Sequence, residues 1–301
     1  MANDLIILAG ATGRLGRLIA ASLIERGARV RALTRRGGSH DTSDLRRKGV
    51  SIAEVDYFSK AEMVAACGGG ACIVSALSGL EDVLLDSQSQ LLDAAIAADV
   101  PRFIPSDYAV DFTKLEDGTN RNFDIRRKFH QRLVAAPINA TSIMSGMFTD
   151  LLTGPAPVIL FKLKRVLYWQ NPDQLMDFTT IENAAEYTAA AALDPSTPRF
   201  LRVAGDQQSA RSLTETVSDV SGERFKLTRA GGLGRLAFLI KVMRSIAPAK
   251  DQIFPPWQGM QYLHNMFEGR VKFDRLDNDR YRGIAWTTVR DVLESRQRRT
   301  T

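Results

Sequence analysis

The sequence predicts an α/β fold in which a doubly wound parallel sheet is followed by a smaller, mixed and mostly helical C-terminal lobe. Three observations support this fold class. Short apolar runs alternate with amphipathic stretches six times across residues 5–146, which is typical of parallel strands joined by helices. A glycine-rich turn directly follows the first apolar run. After Met147 the regular alternation stops, and prolines, short strands and longer helices take its place.

The first half of the chain supplies the strands and helices of the predicted sheet in regular order. Short apolar runs bounded by Gly, Pro or polar residues indicate buried parallel strands. The predicted strands cover residues 5–10, 28–35, 50–57, 71–77, 102–108 and 138–146. Apolar residues at helical spacing predict helices at 15–27, around 63–66, at 80–100 and from 122 to about 136, with a polar loop at 109–121.

Residues 151–301 are predicted to form the C-terminal lobe, with residues 178–205 interleaved with the sheet. Its predicted short strands cover 164–169, 178–180 and 200–205, and its predicted helices cover 181–193, 212–222, 232–248, 255–267 and 286–297. Open α/β sheets bind ligands outside the carboxyl ends of their strands, so we expect the lobe to pack over that edge.

Composition and charge argue against several classes of protein. The 301 residues are 45% hydrophobic and 25% charged, which is ordinary for a globular protein. No apolar run approaches the roughly 18 residues of a membrane helix, and no basic leader opens the chain, so we expect a cytoplasmic protein. The net charge is +6 with a pI of about 9.4, but the cations form separate clusters without interleaved aromatic residues. This pattern disfavours nucleic-acid binding.

The cysteine and histidine residues give no sign of a metal site. Cys67 and Cys72 flank a glycine triplet, a spacing that fits neither a redox CxxC motif nor a zinc site. Two reduced and partly buried thiols are therefore expected. His40, His130 and His264 are scattered along the chain, and no metal is predicted.

The turn GATGRLG carries three glycines at GxxGxxG spacing. Gly10 would permit a tight turn, Gly13 would let the backbone approach a pyrophosphate, and Gly16 would let the helix pack on the strand. The N-terminus of that helix would face the phosphate charge. Further candidates for cofactor contacts in the same loop are Thr12, Arg14 and Leu15. The strand–turn–helix context predicts a dinucleotide site, the alternative being a merely structural glycine turn.

The end of the second predicted strand distinguishes between the two nicotinamide cofactors. An NAD site places a carboxylate there, which accepts hydrogen bonds from the ribose hydroxyls. This chain instead has Thr34, Arg35 and Arg36, and guanidinium groups pair well with phosphate. NADPH/NADP+ is therefore predicted over NADH, the alternative being two solvated arginines.

The segments GATGRLGR, TRR, VSAL, IPSDY and ATSIMSGMF occur here in the order in which a known family carries them. The chain resembles the NmrA-like, isoflavone-reductase-like branch of the atypical short-chain dehydrogenases and reductases, well over residues 4–150 and more loosely through 178–193. The resemblance implies an NADP(H)-binding Rossmann domain over 1–150 and a substrate-binding lobe over 151–301. It also implies that the cofactor is lined by Ser75, Ala76, Leu77, Pro105, Ser106 and Phe148.

This family contains two functional classes. Some members are reductases of aromatic substrates such as isoflavones or lignans, or of quinones and dyes. Others are regulators that bind NADP(H) and report redox state to partner proteins. We therefore expect an NADPH-dependent reductase of an apolar, aromatic carbonyl, quinone or conjugated substrate. The alternative is an NADP(H)-sensing regulator with a protein partner, and a nucleic-acid binder is a third hypothesis that rests on charge alone.

The predicted helix over 122–136 corresponds to the family's catalytic helix, but this chain has no YxxxK pair. When Ala140 and Thr141 are aligned with the family, the lysine position falls at Arg126 without a gap and at Lys128 only with a two-residue gap. A guanidinium stays protonated at any working pH. Arg126 is therefore suited to hold a ribose hydroxyl or to stabilise an oxyanion, but it is a poor proton shuttle.

Helical spacing assigns the polar residues of this helix to different sides. Asn122 and Arg126 fall on one flank of the buried stripe and Lys128 falls on the opposite flank, while Arg127 and His130 are predicted to point further outward. The residues of the predicted stripe are Ile125, Phe129, Leu133 and Ala136. Asn122 and Arg126 would form a polar ladder toward the cofactor. The alternative for each cation is an ordinary solvated charge.

Tyr108, at the end of the fifth predicted strand, is a candidate proton donor that could replace the missing tyrosine. The alternative is a packed tyrosine beside a capping turn. Large flexible and aromatic side chains suit an apolar aromatic substrate. The predicted substrate contacts of this kind are Met147, Trp169, Trp257, Met260 and Tyr262. The segment that carries the last three also fits a simple core helix.

Overall fold

A computed structural model describes residues 4–38, 41–154 and 156–300. The strands of its main sheet are β1 (Leu5–Ala9), β2 (Arg29–Arg35), β3 (Ser51–Val55), β4 (Cys72–Ser75), β5 (Arg102–Ile104) and β6 (Asn139–Ala140). Neighbouring strands pair in parallel in the order β3-β2-β1-β4-β5-β6. Successive strands are added on one side of β1 up to β3 and on the other side from β4 onward. This strand order is that of a Rossmann-type doubly wound sheet. It confirms the predicted fold class.

Helices cover both faces of the main sheet. They are α1 (Arg14–Glu25), α2 (Ser43–Arg47), α3 (Lys60–Cys67), α4 (Gln88–Ala97), α5 (Arg121–Ala135) and α6 (Ile181–Leu193). On one face α1 packs against α6, which comes from the second half of the chain. The other face is covered by α3, α4 and α5. The central strands are continuous apolar runs because both of their faces are buried, and Ile6, Ile7 and Leu8 have no exposed surface.

Within the described residues, the second half of the chain, which begins at Ser142, adds short strands and four further α-helices. The strands are β7 (Ser142–Met144), β8 (Met147–Phe148), β9 (Ile159–Leu160), β10 (Arg165–Trp169), β11 (Met176–Thr179), β12 (Phe200–Arg202), β13 (Asp206–Gln208) and β14 (Lys226–Gly231). The helices are α7 (Ala210–Ser221), α8 (Leu233–Ile246), α9 (Pro256–Glu268) and α10 (Val289–Thr300). The small sheets are β14-β10-β9, β13-β11-β8 and β12-β7. The sequence did not predict α2, β8, β9, β13 or β14.

The predicted sixth strand, residues 138–146, changes partners in its middle. The Thr141 N–H donates to the carbonyl oxygen of Phe103 on β5 (3.0 Å). The next N–H, that of Ser142, donates to the carbonyl oxygen of Arg199 (2.9 Å), where the pairing of β7 with β12 begins. One extended stretch therefore pairs first with β5 of the main sheet and then with β12 in a sheet of the second half.

Two further predictions differ from the structure in detail. The predicted helix over 80–100 begins with a π-helical turn, Asp82–Ser87, before α4. The predicted polar loop at 109–121 is irregular, but its apolar residues Val110 and Phe112 are buried in the core of the second half. Across the described ranges, no helix combines the length and the apolar character that crossing a membrane requires.

Candidate active site

The glycine-rich turn is pressed against the end of β4. Gly10 has a φ of +78°, which favours glycine, and a Cβ there would lie 2.6 Å from the carbonyl carbon of Ala76. A Cβ on Gly16 would lie 2.8 Å from the Cα of Ala11. Gly13 is exposed at the N-cap of α1, and its N–H donates to the Gly10 carbonyl oxygen (3.1 Å). Two glycines therefore permit close packing, while the third leaves the N-terminus of α1 open.

Two arginines at the start of α1 both have protein partners. Arg17 Nε donates to the Thr12 carbonyl oxygen (3.0 Å) and so holds the glycine-rich loop. The Arg14 side chain is 57% exposed, and its Nη2 lies 2.6 Å from Asp150 Oδ1 and 3.1 Å from Glu182 Oε1. A contact between Arg14 and a cofactor phosphate would require the guanidinium to leave these carboxylates. That contact stays a prediction.

The two arginines at the end of β2 differ in their surroundings. Both side chains are exposed. Arg36 Nη2 lies 2.8 Å from Glu62 Oε2, so one of the two charges is already paired. Within residues 4–38, 41–154 and 156–300, no ion pair holds Arg35. Arg35 is therefore the better placed of the two guanidinium groups to receive a phosphate.

Ser106 joins the ends of β4 and β5. Its Oγ donates to the Leu77 carbonyl oxygen (2.7 Å), and its N–H donates to Gln88 Oε1 at the start of α4 (3.0 Å). Pro105 is buried. The hydroxyl of Ser75 is also buried and finds no hydrogen-bond partner among the described residues. The half-buried members of the predicted cofactor set are Thr12, Leu15, Ala76, Leu77 and Phe148.

Arg126 lies on the buried face of α5 and reaches these strand ends. Its Nε donates to the Ser106 carbonyl oxygen (3.1 Å), and its Nη1 donates to the Asn122 carbonyl oxygen (3.1 Å). Lys128 lies on the outer face of the same helix, where its side chain is 55% exposed and its Nζ lies 2.8 Å from Glu81 Oε1. Of the two candidate cations, the fold therefore brings Arg126 to the carboxyl edge of the sheet.

Side chains from α9 hold the N-terminus of α5. Asn120 is the N-cap, and its Oδ1 accepts from the N–H groups of Asn122 (3.2 Å) and Phe123 (3.3 Å). The same oxygen accepts from Gln258 Nε2 (2.7 Å), and Asn120 Nδ2 donates to Asn265 Oδ1 (3.1 Å). Sequence reasoning missed these residues. The only available signal was an asparagine directly before a predicted helix, which is a favoured N-cap.

His130 is buried, so the prediction that it points outward is wrong. Its Nε2 lies 2.7 Å from Asp107 Oδ2, and its Nδ1 faces Arg199 Nη2 at 3.4 Å. Burial alone would raise the pKa of Asp107, but its interactions with His130 hold that pKa below the ordinary value. Polar partners from other parts of the chain therefore compensate for the burial of a histidine on the inner face of α5, one turn after Arg126.

Two predicted site residues belong to the packed interior instead. Tyr108 packs in the core beneath α1 and α6, where burial also raises the pKa of its hydroxyl. The Trp257 side chain is only 2% exposed. The guanidinium groups of Arg121 and Arg244 lie 4.7 Å and 5.3 Å from its ring, and its Nε1 donates to the Pro248 carbonyl oxygen (3.0 Å). Trp257 therefore anchors the chain between α8 and α9 and is not available to a substrate.

The other predicted substrate residues come from three elements of the second half. Met147 on β8, Trp169 at the end of β10 and Met260 on α9 are half-buried. The hydroxyl oxygen of Tyr262, on α9, accepts a hydrogen bond from Asn122 Nδ2 (3.0 Å). The alternative of a core helix holds for one side of α9, whose buried apolar residues include Leu263, Met266 and Phe267. Contacts with a substrate stay a prediction.

Several solved structures with a similar architecture carry the names of reductases, and one that matches with a TM-score of 0.72 carries the name of a nucleoside-diphosphate-sugar epimerase. The chain is similar to an isoflavone reductase, with 16% identity, a TM-score of 0.80, and 97% of this chain and 99% of that chain covered. It is also similar to a leucoanthocyanidin reductase in complex with NADPH from Vitis vinifera, with 16% identity, a TM-score of 0.80 and the same coverage of 97% and 99%. An NADPH-dependent quinone oxidoreductase from Escherichia coli matches with 16% identity, a TM-score of 0.75, and 97% and 99% coverage. The TM-scores show that these proteins share the fold of this chain, and at 16% identity the similarity shows the fold alone.

Sequence comparison identifies the family directly. No curated protein matches the chain. The profile of the NmrA-like family matches residues 2–234, which is well over half of the sequence and includes the whole main sheet. This match confirms the resemblance carried by the glycine-rich turn and by the strand ends. The chain belongs to the NmrA-like family.

Proposed function

We propose that this protein binds NADP(H) and reduces an apolar, aromatic carbonyl, quinone or conjugated substrate at the carboxyl edge of its main sheet. The observation that carries the proposal is the guanidinium of Arg126, held by the Ser106 carbonyl oxygen at the edge that also bears the glycine-rich turn. A fixed cation at this edge suits a reaction in which negative charge develops on a substrate oxygen. The names of the similar reductases agree with this proposal.

The residues of this edge fit a nicotinamide dinucleotide phosphate. Any side chain at Gly10 would collide with the Ala76 backbone, so glycine there keeps the turn packed on the end of β4, and the exposed Gly13 leaves backbone open to a ligand. The N-terminus of α1 would receive the pyrophosphate, and Arg35 would pair with the 2′-phosphate. The buried Ser75 hydroxyl, which has no partner among the described residues, is a free hydrogen-bonding group in the same region. When bound, the cofactor supplies the hydride.

Arg126 would supply electrostatic stabilisation and not proton transfer. Its guanidinium keeps its charge, and two backbone carbonyl groups fix its orientation. The side chain is half-buried, so water screens its charge less than it would at the surface. A substrate oxygen beside it would be stabilised as charge builds up. Apolar contacts from Met147, Trp169 and Met260 would orient an aromatic substrate.

The cofactor is tested by titrating the protein with NADPH and with NADH. We expect tighter binding of NADPH, and we expect Arg35→Ala to remove most of that preference because one charge-assisted phosphate contact is lost. Arg36→Ala is the matched control, since Arg36 is paired with Glu62 and should contribute less. Equal affinities for the two cofactors, or a preference unaffected by Arg35→Ala, would contradict the assignment.

Turnover is tested by following NADPH oxidation against quinones, dyes and phenylpropanoid carbonyl compounds. We expect Arg126→Met to lower kcat by about 10²- to 10³-fold, the usual effect of removing one donor to a developing oxyanion. Lys128→Met removes a neighbouring charge from the outer face of the same helix and should leave kcat unchanged. Full turnover and full NADPH affinity in both variants would show that α5 is only a scaffold.

An NADP(H)-sensing regulator is the alternative function. It is favoured by the absence of a proton shuttle at Arg126 and by the burial of Tyr108. In that case a partner protein, and not a small substrate, would respond to the bound cofactor. Tight NADPH binding without oxidation by any compound of the panel would support the regulator over the reductase.

A further inference from the structure

Tyr262 reaches from α9 to the same residue that orients Arg126. Asn122 Nδ2 donates to the Tyr262 hydroxyl oxygen (3.0 Å), and the backbone carbonyl of Asn122 accepts from Arg126 Nη1 (3.1 Å). A phenol and a guanidinium therefore meet at one residue of α5, although their positions in the chain are far apart. The Asn122 amide is the donor in this contact, so the hydroxyl keeps its own proton to donate.

The ring of this phenol packs against α5 and against the segment that precedes α9. The Tyr262 ring makes an edge contact with Phe123, with ring centroids 5.0 Å apart, and lies 6.4 Å from the ring of Phe254. On the same helix α9, Gln258 is bonded to Asn120, the N-cap of α5. The hydroxyl is therefore held in place relative to Arg126 before any ligand binds, as an acid that must meet a reacting atom requires.

The surroundings favour a protonated phenol whose anion is nevertheless stabilised. Burial raises the pKa of Tyr262, so the hydroxyl carries its proton at neutral pH. The charged groups that act on it, Arg126 and Arg121, both come from α5 and oppose that rise, as does the hydrogen bond from Asn122. A phenolate formed for the duration of one reaction step would thus face two guanidinium groups.

We propose that Tyr262 is the proton donor of the reduction, an inference that rests on the proposed reductase function. When bound, NADPH would supply the hydride that bonds to the carbonyl carbon, and the carbonyl π electrons would move onto oxygen. The O–H bond of Tyr262 breaks, and its proton passes to that oxygen. Water then returns a proton to the phenolate. The sum is one carbonyl, one NADPH and one solvent proton converted into one alcohol and one NADP+.

The first test compares Tyr262→Phe with Tyr168→Phe, which removes a phenol oxygen from β10 in the same half of the chain. We expect Tyr262→Phe to lower kcat about 100-fold, as for other general acids, and to leave NADPH affinity unchanged. Tyr168→Phe should match the wild type. Wild-type turnover that survives Tyr262→Phe would overturn the Tyr262 proposal and leave the reductase intact. Absence of turnover in the wild type would overturn both.

The second test needs no turnover. Phenolate absorbance is followed during a pH titration of the protein without cofactor, and the signal of Tyr262 is identified as the difference between wild type and Tyr262→Phe. We expect Arg126→Met to raise the pKa of Tyr262, because the substitution removes a nearby positive charge. In turnover, the decline of kcat at high pH should also move upward. A tyrosine titration that Arg126→Met leaves unchanged would overturn the coupling of these two residues and the proposal with it.

Discussion

Replacing Asn120 with alanine would test whether buried side chains hold the N-terminus of α5. Asn120 has no exposed surface, and its side-chain oxygen accepts hydrogen bonds from two backbone N–H groups of α5 and from Gln258. Its amide nitrogen donates to Asn265. Alanine would remove all of these contacts at once, and it would leave a buried donor of Gln258 and a buried acceptor of Asn265 without partners.

The size of the effect follows from those contacts. Loss of an asparagine N-cap lowers stability by about 0.5–2 kcal/mol. Each buried polar group left unpaired costs about 1–3 kcal/mol, and alanine would leave two of them. Contributions within one network do not add in full, because neighbouring side chains relax. We therefore expect the free energy of unfolding to fall by about 3–5 kcal/mol.

Urea unfolding followed by circular dichroism would measure this change. Asn139→Ala is the control, since Asn139 is exposed on β6 and should change stability by less than about 0.5 kcal/mol. Asn120→Ser keeps an oxygen that can cap the helix but is too short to reach Gln258 and Asn265, so its effect should be intermediate. A cost of Asn120→Ala below about 1 kcal/mol would refute the reasoning, as would a cost equal to that of Asn139→Ala.

Three further predictions concern other parts of the molecule. Gly10→Ala should lower stability by about 1–3 kcal/mol, because it combines a left-handed backbone with a collision at Ala76; an unchanged Tm would contradict this. Burial raises the pKa of both Cys67 and Cys72 to about 12, so a thiol reagent should label neither at mildly alkaline pH until urea is added, and rapid labelling of the native protein would disprove it. Burial would raise the pKa of Asp194, but hydrogen bonds and Arg280 lower it below its value in the unfolded chain. Asp194 therefore stabilises the fold fully at a pH above its unfolded-state pKa, and this stabilisation is lost as the pH falls through its folded-state pKa. Thermal unfolding should accordingly show Asp194→Asn as destabilising at neutral pH and much less so in strong acid, whereas a difference independent of pH would count against it.

The fold and the glycine-rich turn could be predicted because both depend on local patterns. Alternation of apolar runs with amphipathic stretches reports which residues face a sheet covered on two sides, and that is how the main sheet is built. The close contacts made by Gly10 and Gly16 follow directly from a strand, a tight turn and a helix in succession. The sequence also favoured Arg126 over Lys128 as the cation that faces the sheet edge, because it needs no gap in the alignment and because helical spacing places it beside the buried stripe.

The errors concern polar and aromatic residues whose surroundings come from distant parts of the chain. A helical wheel built on apolar residues places His130 outside, whereas Asp107 supplies a buried partner for it. Trp257 has the size and chemistry of a substrate contact, but Arg121 and Arg244 engage its ring. No spacing rule reveals such partners, since burial of a polar group depends on which acceptor or donor the fold brings to it.

The change of strand partners at Thr141 has a mechanical consequence. A hinge needs backbone that can rotate without losing cross-strand hydrogen bonds. Here two successive N–H groups, those of Thr141 and Ser142, are bonded to different strands, so the junction between the two sheets contains no free peptide. The half that would hold the cofactor and the half that would hold the substrate are therefore connected at this point by a hydrogen-bonded, rigid segment. Entry and exit of a substrate would then rely on movement of side chains and surface loops.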